Sequence, residues 1–345
     1  MGEGAIERWD EGRDYDNGSI TKPLNQSTNP SQNSFKSKVT SSNPAAQQKL
    51  LVVIAGPTAV GKTPLCIELA QAFHTEIVSC DSRQFYKEMQ IGTAVPGESE
   101  LAVVKHHFIQ HLSISDAYDV STYEADALQV LDELFRKHEV VILTGGSGLY
   151  INAVCQGFDE LPDPDPALRK ELENTLKSQG LIVLQEQLKE LDPDFYEIVD
   201  INNPKRLLRA VEVCLITGQP YSRLRKGQKK TRPFRVLKIA LNRERKELFA
   251  RIAERTGQMM EMGLLDEVAA LQSLRHLNAL KTVGYRELFE YLDGRCTLAQ
   301  AIENIKTNTR RYAKRQLTWF KKDKDYHWFH PDQKKEIMYL VSSQL

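Results

Sequence analysis

The chain has no excess of charge of one sign. Among its 345 residues, 46 Lys and Arg are matched by 46 Asp and Glu, so no overall field draws it toward a nucleic acid or a membrane surface. It also has no apolar run that approaches the ~18 residues of a membrane-spanning helix. We therefore expect no membrane association, and any affinity for a polyanion must come from local groups of basic residues.

Cysteine is scarce and scattered. The five cysteines contain no C-x-x-C pair, which indicates reduced thiols and is typical of a cytoplasmic protein. The amino-terminal residues lack the basic start and apolar core of a secretory signal, so we expect a cytoplasmic location. His106, His107 and His111 lie close together, but no cysteine or carboxylate cluster accompanies them. This pattern favours structural histidines over a zinc site.

Residues 1–48 contain few apolar side chains. Stretches such as NQSTNPSQNSFKSK are rich in Ser, Asn, Gln and Pro. Such a segment cannot bury enough surface to offset the entropy cost of ordering it. We predict a disordered polar tail over these residues.

A phosphate-binding loop follows the first apolar run, LLVVIA. Gly56, Gly61, Lys62 and Thr63 have the G-x-x-x-x-G-K-[ST] spacing, and the residues after them have helical periodicity. Backbone N–H groups and the helix N-terminus would then face an anion. Lys62 would add a positive charge, and Thr63 a hydroxyl ligand for Mg²⁺. The predicted binding loop consists of Gly56, Pro57, Thr58, Ala59, Val60, Gly61, Lys62 and Thr63.

Further apolar runs predict a parallel sheet. EIVSC, HHFIQHL, VVILTGG and RVLKIAL have strand character, and one helix between them is predicted to begin with a capping box of Ser121 and Glu124. Alternating strands and helices indicate an α/β fold of the P-loop NTPase-like kind, with helices on both faces of the sheet. Ligands bind at the carboxyl ends of such strands, where the P-loop, Asp81 and TGGSGLY would emerge.

Strand patterns disappear between Gly157 and about Pro233. Segments such as NPKRLLRAVEVCLITG have helical character instead. We predict a P-loop core in two parts, residues 49–156 and 234–345, with basic helices at its carboxyl end. A helical insertion over residues 157–233 interrupts this core.

Two basic stretches supply the positive charge that the whole chain lacks. YSRLRKGQKKTRPFRVLK has eight basic residues and no acid, and KTNTRRYAKRQLTWFKKDK has eight basic residues and one acid. Either stretch alone is more typical of a solvated helix face. Aromatic side chains in the second stretch suit base stacking, and the two stretches together favour RNA binding. Arg311, Arg315 and Trp319 recur every four residues, which predicts one helical stripe.

Several motifs occur in one order along the chain: GPTAVGKT, DSRQFY, IGTAVP, HHF, TGGSGLY, NPKRLLRAVEV, MGLLDEV, TVGYREL and RRYAKRQLTWF. From about Leu50 to Trp319 the chain resembles the bacterial tRNA dimethylallyltransferases, which attach an isopentenyl group to an adenosine beside the anticodon. The resemblance implies that the P-loop grips the pyrophosphate of dimethylallyl diphosphate. It implies that Asp81 is the general base, with Lys62 and Mg²⁺ at Thr63 stabilising the leaving group. The implied macromolecular partner is the tRNA anticodon stem-loop.

The resemblance also implies a set of tRNA-binding residues. Ser147 stands where the family commonly has Thr, so a hydroxyl is kept. Lys205 stands where the family often has Gln, which leaves a phosphate contact but puts an amide contact to a base in doubt. The implied set is Asp81, Ser82, Arg83, Gln84, Ser147, Arg169, Lys205, Arg206, Leu207, Leu208, Arg209, Lys281, Thr282, Val283, Gly284, Tyr285 and Arg286.

Other interpretations stay open from the sequence. A small-molecule P-loop kinase shares the loop and the parallel sheet, and adenylate isopentenyltransferase shares the chemistry with a free nucleotide as acceptor. A non-catalytic RNA-binding protein is disfavoured by the intact GKT and the positioned Asp81. Asp81 itself could be a Mg²⁺ ligand or an N-terminal helix cap. A monomer is the default oligomeric state.

Overall fold

The computed structural model describes residues 49–345. The tail predicted over residues 1–48 lies outside the described residues. Backbone contacts separate the described chain into two compact units, a smaller one over Asp159–Lys226 and a larger one that combines residues 49–158 with Gly227–Leu345. The smaller unit lies within the segment 157–233 that the sequence predicts to be an insertion.

A six-stranded sheet forms the centre of the larger unit. All of its strand pairs are parallel, which confirms the predicted α/β class with a parallel sheet. The strand order is β3-β2-β4-β1-β5-β6. The strands are β1 (Leu50–Ala55), β2 (Ile77–Ser79), β3 (His106–His107), β4 (Val140–Gly145), β5 (Arg235–Leu241) and β6 (His327–Phe329).

Helices cover both faces of this sheet. Alternate residues of β1 show this directly, because Leu51 and Val53 belong to one hydrophobic cluster while Leu50 and Val52 belong to another. A strand buried on both faces reads as a continuous apolar run, as LLVVIA does. The helices of this unit are α1 (Lys62–Ala72), α2 (Glu98–Val103), α3 (Val120–Phe135), α4 (Gly148–Gln156), α10 (Arg245–Glu261), α11 (Leu264–Ala270), α12 (Tyr285–Leu292), α13 (Leu298–Lys322) and α14 (Lys334–Ser342).

Two local predictions differ from the structure. The run HHFIQHL joins the six-stranded sheet only through its first two residues, because Phe108 and Gln110 have φ of 61° and 47° and leave the extended conformation. Its last residue, Leu112, forms an isolated parallel bridge with Tyr86. The capping box at the start of α3 is wrong. The N-cap is Asp119, whose carboxylate accepts the Thr122 N–H, and Glu124 instead accepts a 2.7 Å hydrogen bond from Arg232.

The smaller unit is helical and has a core of its own. The buried residues of that core are five leucines together with Phe195, Ala210 and Val211. Asp192 is buried where two of the helices meet, and its carboxylate accepts hydrogen bonds from the Phe195 N–H and the Ser222 N–H. The helices are α5 (Pro166–Gln179), α6 (Leu181–Leu191), α7 (Pro193–Tyr196), α8 (Pro204–Thr217) and α9 (Tyr221–Leu224).

Over residues 49–345, no helix has both the length and the apolar character needed to cross a bilayer.

One carboxylate in the larger unit anchors a loop that has no regular structure. Glu267 on α11 accepts backbone N–H groups from Gln90, Ile91 and Gly92 at 2.7–3.0 Å, and the Tyr285 hydroxyl at 2.6 Å. A side chain at Gly92 would meet the Tyr285 ring within 2.7 Å. The loop and α12 are therefore fixed to each other through Glu267.

We predict that Glu267→Ala lowers the free energy of unfolding by about 2 kcal/mol, because three amide donors and a hydroxyl lose their acceptor. Amide exchange at Gln90–Gly92 should accelerate. Urea unfolding and hydrogen exchange measure these effects, with Glu290→Ala on exposed α12 surface as the control. Equal stability losses in the two variants would contradict the anchoring role.

Candidate active site

The P-loop joins β1 to α1 through residues in left-handed conformations. Ala59 and Gly61 have φ of 63° and 105°, and a side chain at Gly56 would come within 2.9 Å of the Leu241 carbonyl oxygen. Gly61 is the N-cap of α1 and offers no side chain to the first-turn amides. Those N–H groups therefore remain available to an anion at the helix N-terminus.

The Lys62 side chain reaches back to the P-loop residues that precede it in the sequence. Its Nζ donates to the Gly56 and Pro57 carbonyl oxygens, both at 3.0 Å. Burial lowers the pKa of Lys62 to about 8, although the nearby Asp81 carboxylate raises it and Arg255 lowers it further. An ammonium so desolvated favours an anionic ligand, because the ligand would restore the charge balance.

Arginines that follow β5 in the sequence donate hydrogen bonds to carbonyl groups of the P-loop. Arg243 Nε donates to the Val60 carbonyl oxygen at 2.8 Å, and Arg251 Nε donates to the Ala59 carbonyl oxygen at 2.9 Å. Burial lowers the pKa of Arg255. The Asp81 carboxylate raises this pKa, and the positive charge of Arg251 lowers it further. Lys62 and Arg255 thus share the Asp81 carboxylate, and Arg251 adds a further positive charge beside Arg255, so the positive groups outnumber Asp81.

Asp81 emerges just beyond the carboxyl end of β2. Its Oδ1 accepts the Arg83 N–H at 3.1 Å, and its carbonyl oxygen accepts the Gln84 N–H at 3.0 Å. It therefore caps a turn and not a helix. Within residues 49–345 no hydrogen bond reaches its Oδ2. The carboxylate is thus held in orientation through one oxygen, and it lies at the same sheet edge as Lys62.

The residues around Asp81 are held by two different sets of contacts. The Ser82 and Ser147 hydroxyl oxygens are 3.3 Å apart, which brings the loops after β2 and β4 together. Arg83 donates to the carbonyl oxygen of Ala279 at 3.2 Å, and Gln84 Nε2 donates to that of Ala94 at 2.9 Å. Arg83 and Gln84 therefore shape the site through backbone contacts.

The segment KTVGYR is divided between surface and core. Lys281 and Arg286 are exposed, whereas Gly284 and Tyr285 are buried. Tyr285 donates its hydroxyl to Glu267, so its side chain does not reach the surface. Thr282 and Val283 are half-buried. Of the residues predicted to contact RNA in this segment, Lys281 and Arg286 are therefore the ones with exposed side chains.

In the smaller unit, two predicted RNA-binding arginines share one buried carboxylate. Glu212 has no exposed surface, and it accepts hydrogen bonds from Arg169 Nε at 2.9 Å and Arg209 NH1 at 2.7 Å. Burial raises the pKa of Glu212, but the two guanidinium groups outweigh it and hold the pKa below its ordinary value. The side chains of Arg169 and Arg209 are 35% and 27% exposed.

The side chains at the start of α8, in the segment KRLLR, are divided between the surface and the core of the smaller unit. Leu207 and Leu208 are buried in the core of the smaller unit, so these two side chains cannot serve as RNA contacts. Lys205 is exposed and Arg206 is half-buried. The basic members of KRLLR therefore form the surface of this helix, and the leucines attach it to its core.

Helix α13 carries the predicted stripe of Arg311, Arg315 and Trp319, of which Arg311 is exposed and the other two are half-buried. Arg311 and Lys314 are exposed, and the Arg315 guanidinium lies 5.7 Å from the centre of the Tyr312 ring. Gln316, the residue after Arg315, points inward, where its Oε1 accepts the Thr58 N–H at 2.9 Å and its Nε2 donates to the Gly146 carbonyl oxygen at 3.0 Å.

Two buried thiols lie beside the site. Burial raises the pKa of Cys66 to about 12, although the Thr144 hydroxyl and Lys62 oppose this. Burial, with help from Asp81, raises the pKa of Cys80 well above its ordinary value. Both thiols therefore stay protonated at neutral pH.

Sequence reasoning did not single out Arg243, Arg251, Arg255 or Gln316. One signal was present, because the two arginines of ARIAER are four residues apart and thus share a face of α10. The partners of Arg243 and Arg251 are P-loop carbonyl groups at sequence separations of 183 and 192 residues. No local pattern reveals such a pairing.

The parallel sheet and the P-loop at its carboxyl edge define a P-loop protein whose site favours a phosphate-bearing ligand. A family model described as IPP transferase matches residues 84–323. The tRNA dimethylallyltransferase 1 of Bacteroides thetaiotaomicron is 51% identical over 294 residues, which are 85% of this chain and 96% of that protein. The chain belongs to the IPP transferase family.

Solved structures agree with this assignment. The full-length tRNA isopentenylpyrophosphate transferase of Bacillus halodurans is 36% identical, with a TM-score of 0.64 over 86% of this chain and 97% of that one. A eukaryotic dimethylallyltransferase acting on tRNA gives a TM-score of 0.67 at 29% identity, over 79% of this chain and 69% of that one. The resemblance to bacterial-type tRNA dimethylallyltransferases is confirmed, and the kinase and free-nucleotide alternatives are not favoured.

We predict that the smaller unit loses stability in acid. The folded-state pKa of Glu212 is depressed, so its ion pairs stabilise the fold above the unfolded-state pKa and are lost as pH falls through the folded-state value. Hydrogen exchange of residues 159–226 between about pH 3 and pH 7 measures this.

Glu212→Gln should flatten this pH dependence, because its amide does not titrate. Glu171→Gln, at an exposed position of α5, is the control and should behave like the unmodified protein. An acid dependence that persists in the Glu212→Gln variant would refute the assignment.

Proposed function

We propose that the protein transfers a dimethylallyl group from dimethylallyl diphosphate to the exocyclic amine of the adenosine next to the anticodon, position 37, of tRNA. The observation that carries the proposal is the position of Lys62 in the P-loop and of Asp81 just beyond β2, at the same edge of the parallel sheet. Lys62 can stabilise the leaving diphosphate, and Asp81 can accept the proton that the amine loses. Membership of the IPP transferase family supports the same reaction.

The donor would bind with its diphosphate in the P-loop. The loop recognises oxygen atoms and charge, so it does not require a nucleoside. The allylic carbon–oxygen bond breaks, its electron pair leaves with the diphosphate, and the positive charge is delocalised over the allyl group. Lys62 and the first-turn amides stabilise the charge that develops on the leaving oxygen, and Arg255 adds to the positive field.

The acceptor amine attacks the allylic carbon with its lone pair. This lone pair is conjugated with the adenine ring, so the amine becomes a better nucleophile as its proton departs. Asp81 takes that proton as the carbon–nitrogen bond forms. The Arg83 N–H at Oδ1 orients the carboxylate, and Oδ2 is the oxygen that can receive the proton.

Mg²⁺ is part of the proposal. Thr63 in the first turn of α1 offers a hydroxyl oxygen at the sheet edge where the diphosphate would bind. Such a hard oxygen donor suits Mg²⁺, which is usually held by one or two protein oxygens together with substrate phosphates. Among residues 49–345 no cluster of His, Cys, Asp or Glu competes for this role. When bound, the ion would offset charge on the diphosphate.

The anticodon stem-loop would bind through basic side chains of both units. In the larger unit these are Lys281, Arg286 and the exposed basic residues Arg311 and Lys314 of α13, and in the smaller unit Lys205 is exposed. Arg169 and Arg209 are held in fixed directions by Glu212, which suits phosphate recognition by guanidinium groups. The target adenine would have to leave its stack to bring its amine to Asp81, at a cost of a few kcal/mol.

We further propose a cytoplasmic monomer. All five cysteines are free thiols, which suits a reducing compartment. The P-loop, Asp81 and the arginines around them come from one chain, so the site needs no second copy to be complete.

We predict that Asp81→Asn lowers the rate of transfer by about a hundredfold or more while leaving tRNA affinity within about threefold. The amide oxygen can still accept the Arg83 N–H, so the turn is kept and only the base is lost. Single-turnover transfer of a radiolabelled dimethylallyl group to tRNA measures the rate, and filter binding measures the affinity.

The control for that substitution is Asp116→Asn, because Asp116 likewise accepts a turn N–H, from Ser113 at 2.8 Å, yet lies in an exposed turn. It should transfer at the normal rate. If Asp81→Asn turns over within about threefold of the unmodified enzyme, Asp81 is not the base.

We also predict a pH signature of Lys62. Because its pKa is about 8, the ammonium is charged at neutral pH and loses its proton as pH rises through that value. Inorganic pyrophosphate should bind Lys62→Ala about a hundredfold more weakly at pH 7. This ratio should shrink several-fold by about pH 9.5. Calorimetry measures both proteins at each pH, so the ionisation of pyrophosphate cancels, and a constant ratio would contradict the prediction.

A further inference from the structure

Gln316 of α13 forms hydrogen bonds with both loops at the carboxyl ends of β1 and β4. It is only 6% exposed, although most of its neighbours on α13 are basic or polar. Its amide oxygen accepts the Thr58 N–H at 2.9 Å, and its amide nitrogen donates to the Gly146 carbonyl oxygen at 3.0 Å. A buried amide with both ends bonded to backbone is a rigid link.

The two backbone partners of Gln316 belong to adjacent parts of the proposed site. β1 and β4 are neighbours in the sheet, with Ala55 paired to Gly145, so the P-loop and the loop over residues 145–148 start side by side. We propose that Gln316 is a positioning residue for the transfer reaction, which fixes the P-loop against the 145–148 loop. The inference rests on the proposed function in placing the donor diphosphate in the P-loop.

The glycines of the 145–148 loop let α13 approach closely. A side chain on Gly146 would place its Cβ 2.2 Å from Gln316 Nε2, and one on Gly148 would place its Cβ 2.1 Å from Trp319 Nε1. The helix therefore packs on the loop backbone itself. With no side chain between them, a hydrogen bond from Gln316 can set the position of the loop directly.

The two hydrogen-bond partners of Gln316 lie beside the two proposed reacting groups, the donor diphosphate and the base. Thr58 is in the middle of the P-loop, so its bond to Gln316 holds that loop in place before a diphosphate arrives. Gly146 precedes Ser147, whose hydroxyl is 3.3 Å from that of Ser82, next to the proposed base Asp81. Gln316 thus fixes the distance between the donor diphosphate and the base, and misplacement of about 1 Å can cost a hundredfold in rate.

The test begins with Gln316→Met, which keeps the side-chain length and removes both hydrogen bonds. We expect kcat for transfer to fall by about thirtyfold or more, with tRNA affinity within about threefold of the unmodified enzyme. Gln300→Met is the matched control, because Gln300 lies on the same helix, is exposed, and bonds only to residues within one turn. The control should leave kcat unchanged. Normal kcat in Gln316→Met would overturn the proposal.

A second variant separates positioning from folding. In Gln316→Glu, the protonated carboxyl group can still accept from Thr58 and donate to Gly146, whereas the ionised form places an oxygen against the Gly146 carbonyl. Burial raises the pKa of a carboxyl group, so a neutral fraction is accessible. The activity of Gln316→Glu relative to the unmodified enzyme should therefore rise several-fold as pH falls from about 8 to about 6. A ratio that does not change with pH would also overturn the proposal.

Failure of this inference differs from failure of the proposed function. If the unmodified enzyme transfers the dimethylallyl group and Gln316→Met matches it, only the positioning role is lost. If inorganic pyrophosphate with Mg²⁺ does not bind the unmodified protein competitively with dimethylallyl diphosphate, the donor does not occupy the P-loop, and the proposed function fails first.

Discussion

Parallel pairing of β1 with β4, and of β4 with β2, is the constraint on which the site depends. Parallel strands all end at one edge, so the chain segments that follow them must meet there. The P-loop after β1, Ser147 after β4 and Asp81 after β2 are far apart in sequence but adjacent at this edge. An antiparallel arrangement of the same strands would scatter them over two edges.

The charge at this edge follows from burial. Lys62 and Arg255 are desolvated enough that their pKa values fall, and one carboxylate, Asp81, only partly balances them. The folded protein without a ligand therefore has buried positive charge at this edge that Asp81 does not fully neutralise. Arg243 and Arg251 bind the outer carbonyl groups of the P-loop and keep the loop amides turned inward. An anion with several oxygens relieves this imbalance, whereas a neutral ligand does not.

The predictable part of the structure was that encoded in short stretches of sequence. LLVVIA and VVILTGG gave β1 and β4 because strands buried on both faces are apolar throughout, and GPTAVGKT places its own functional groups. The three-residue β6 was missed because HWF has too few residues for a periodic signal. The start of α3 was misplaced because Asp119 competes with Ser121 as a cap, and local propensity does not decide between them.

Side-chain partners at long range were beyond prediction for another reason. KRLLR indicates a basic surface, but nothing near it in sequence shows that Arg209 shares Glu212 with Arg169, 43 residues before that glutamate. Gln316 is 258 residues from Thr58. Such pairings exist only once the chain has folded, so a motif can reveal which residues matter without revealing which of them are fixed by a partner.

The two buried thiols near Asp81, the proposed base, bear on chemical selectivity. An allylic diphosphate is an alkylating agent, and a thiolate is a far stronger nucleophile than the amine of adenine. Cys80 immediately precedes Asp81, and Cys66 lies in the helix that the P-loop begins. Burial keeps both sulfur atoms protonated and out of contact with solvent, which withholds the more reactive nucleophile. An enzyme of this design can carry cysteines next to an electrophile without alkylating itself.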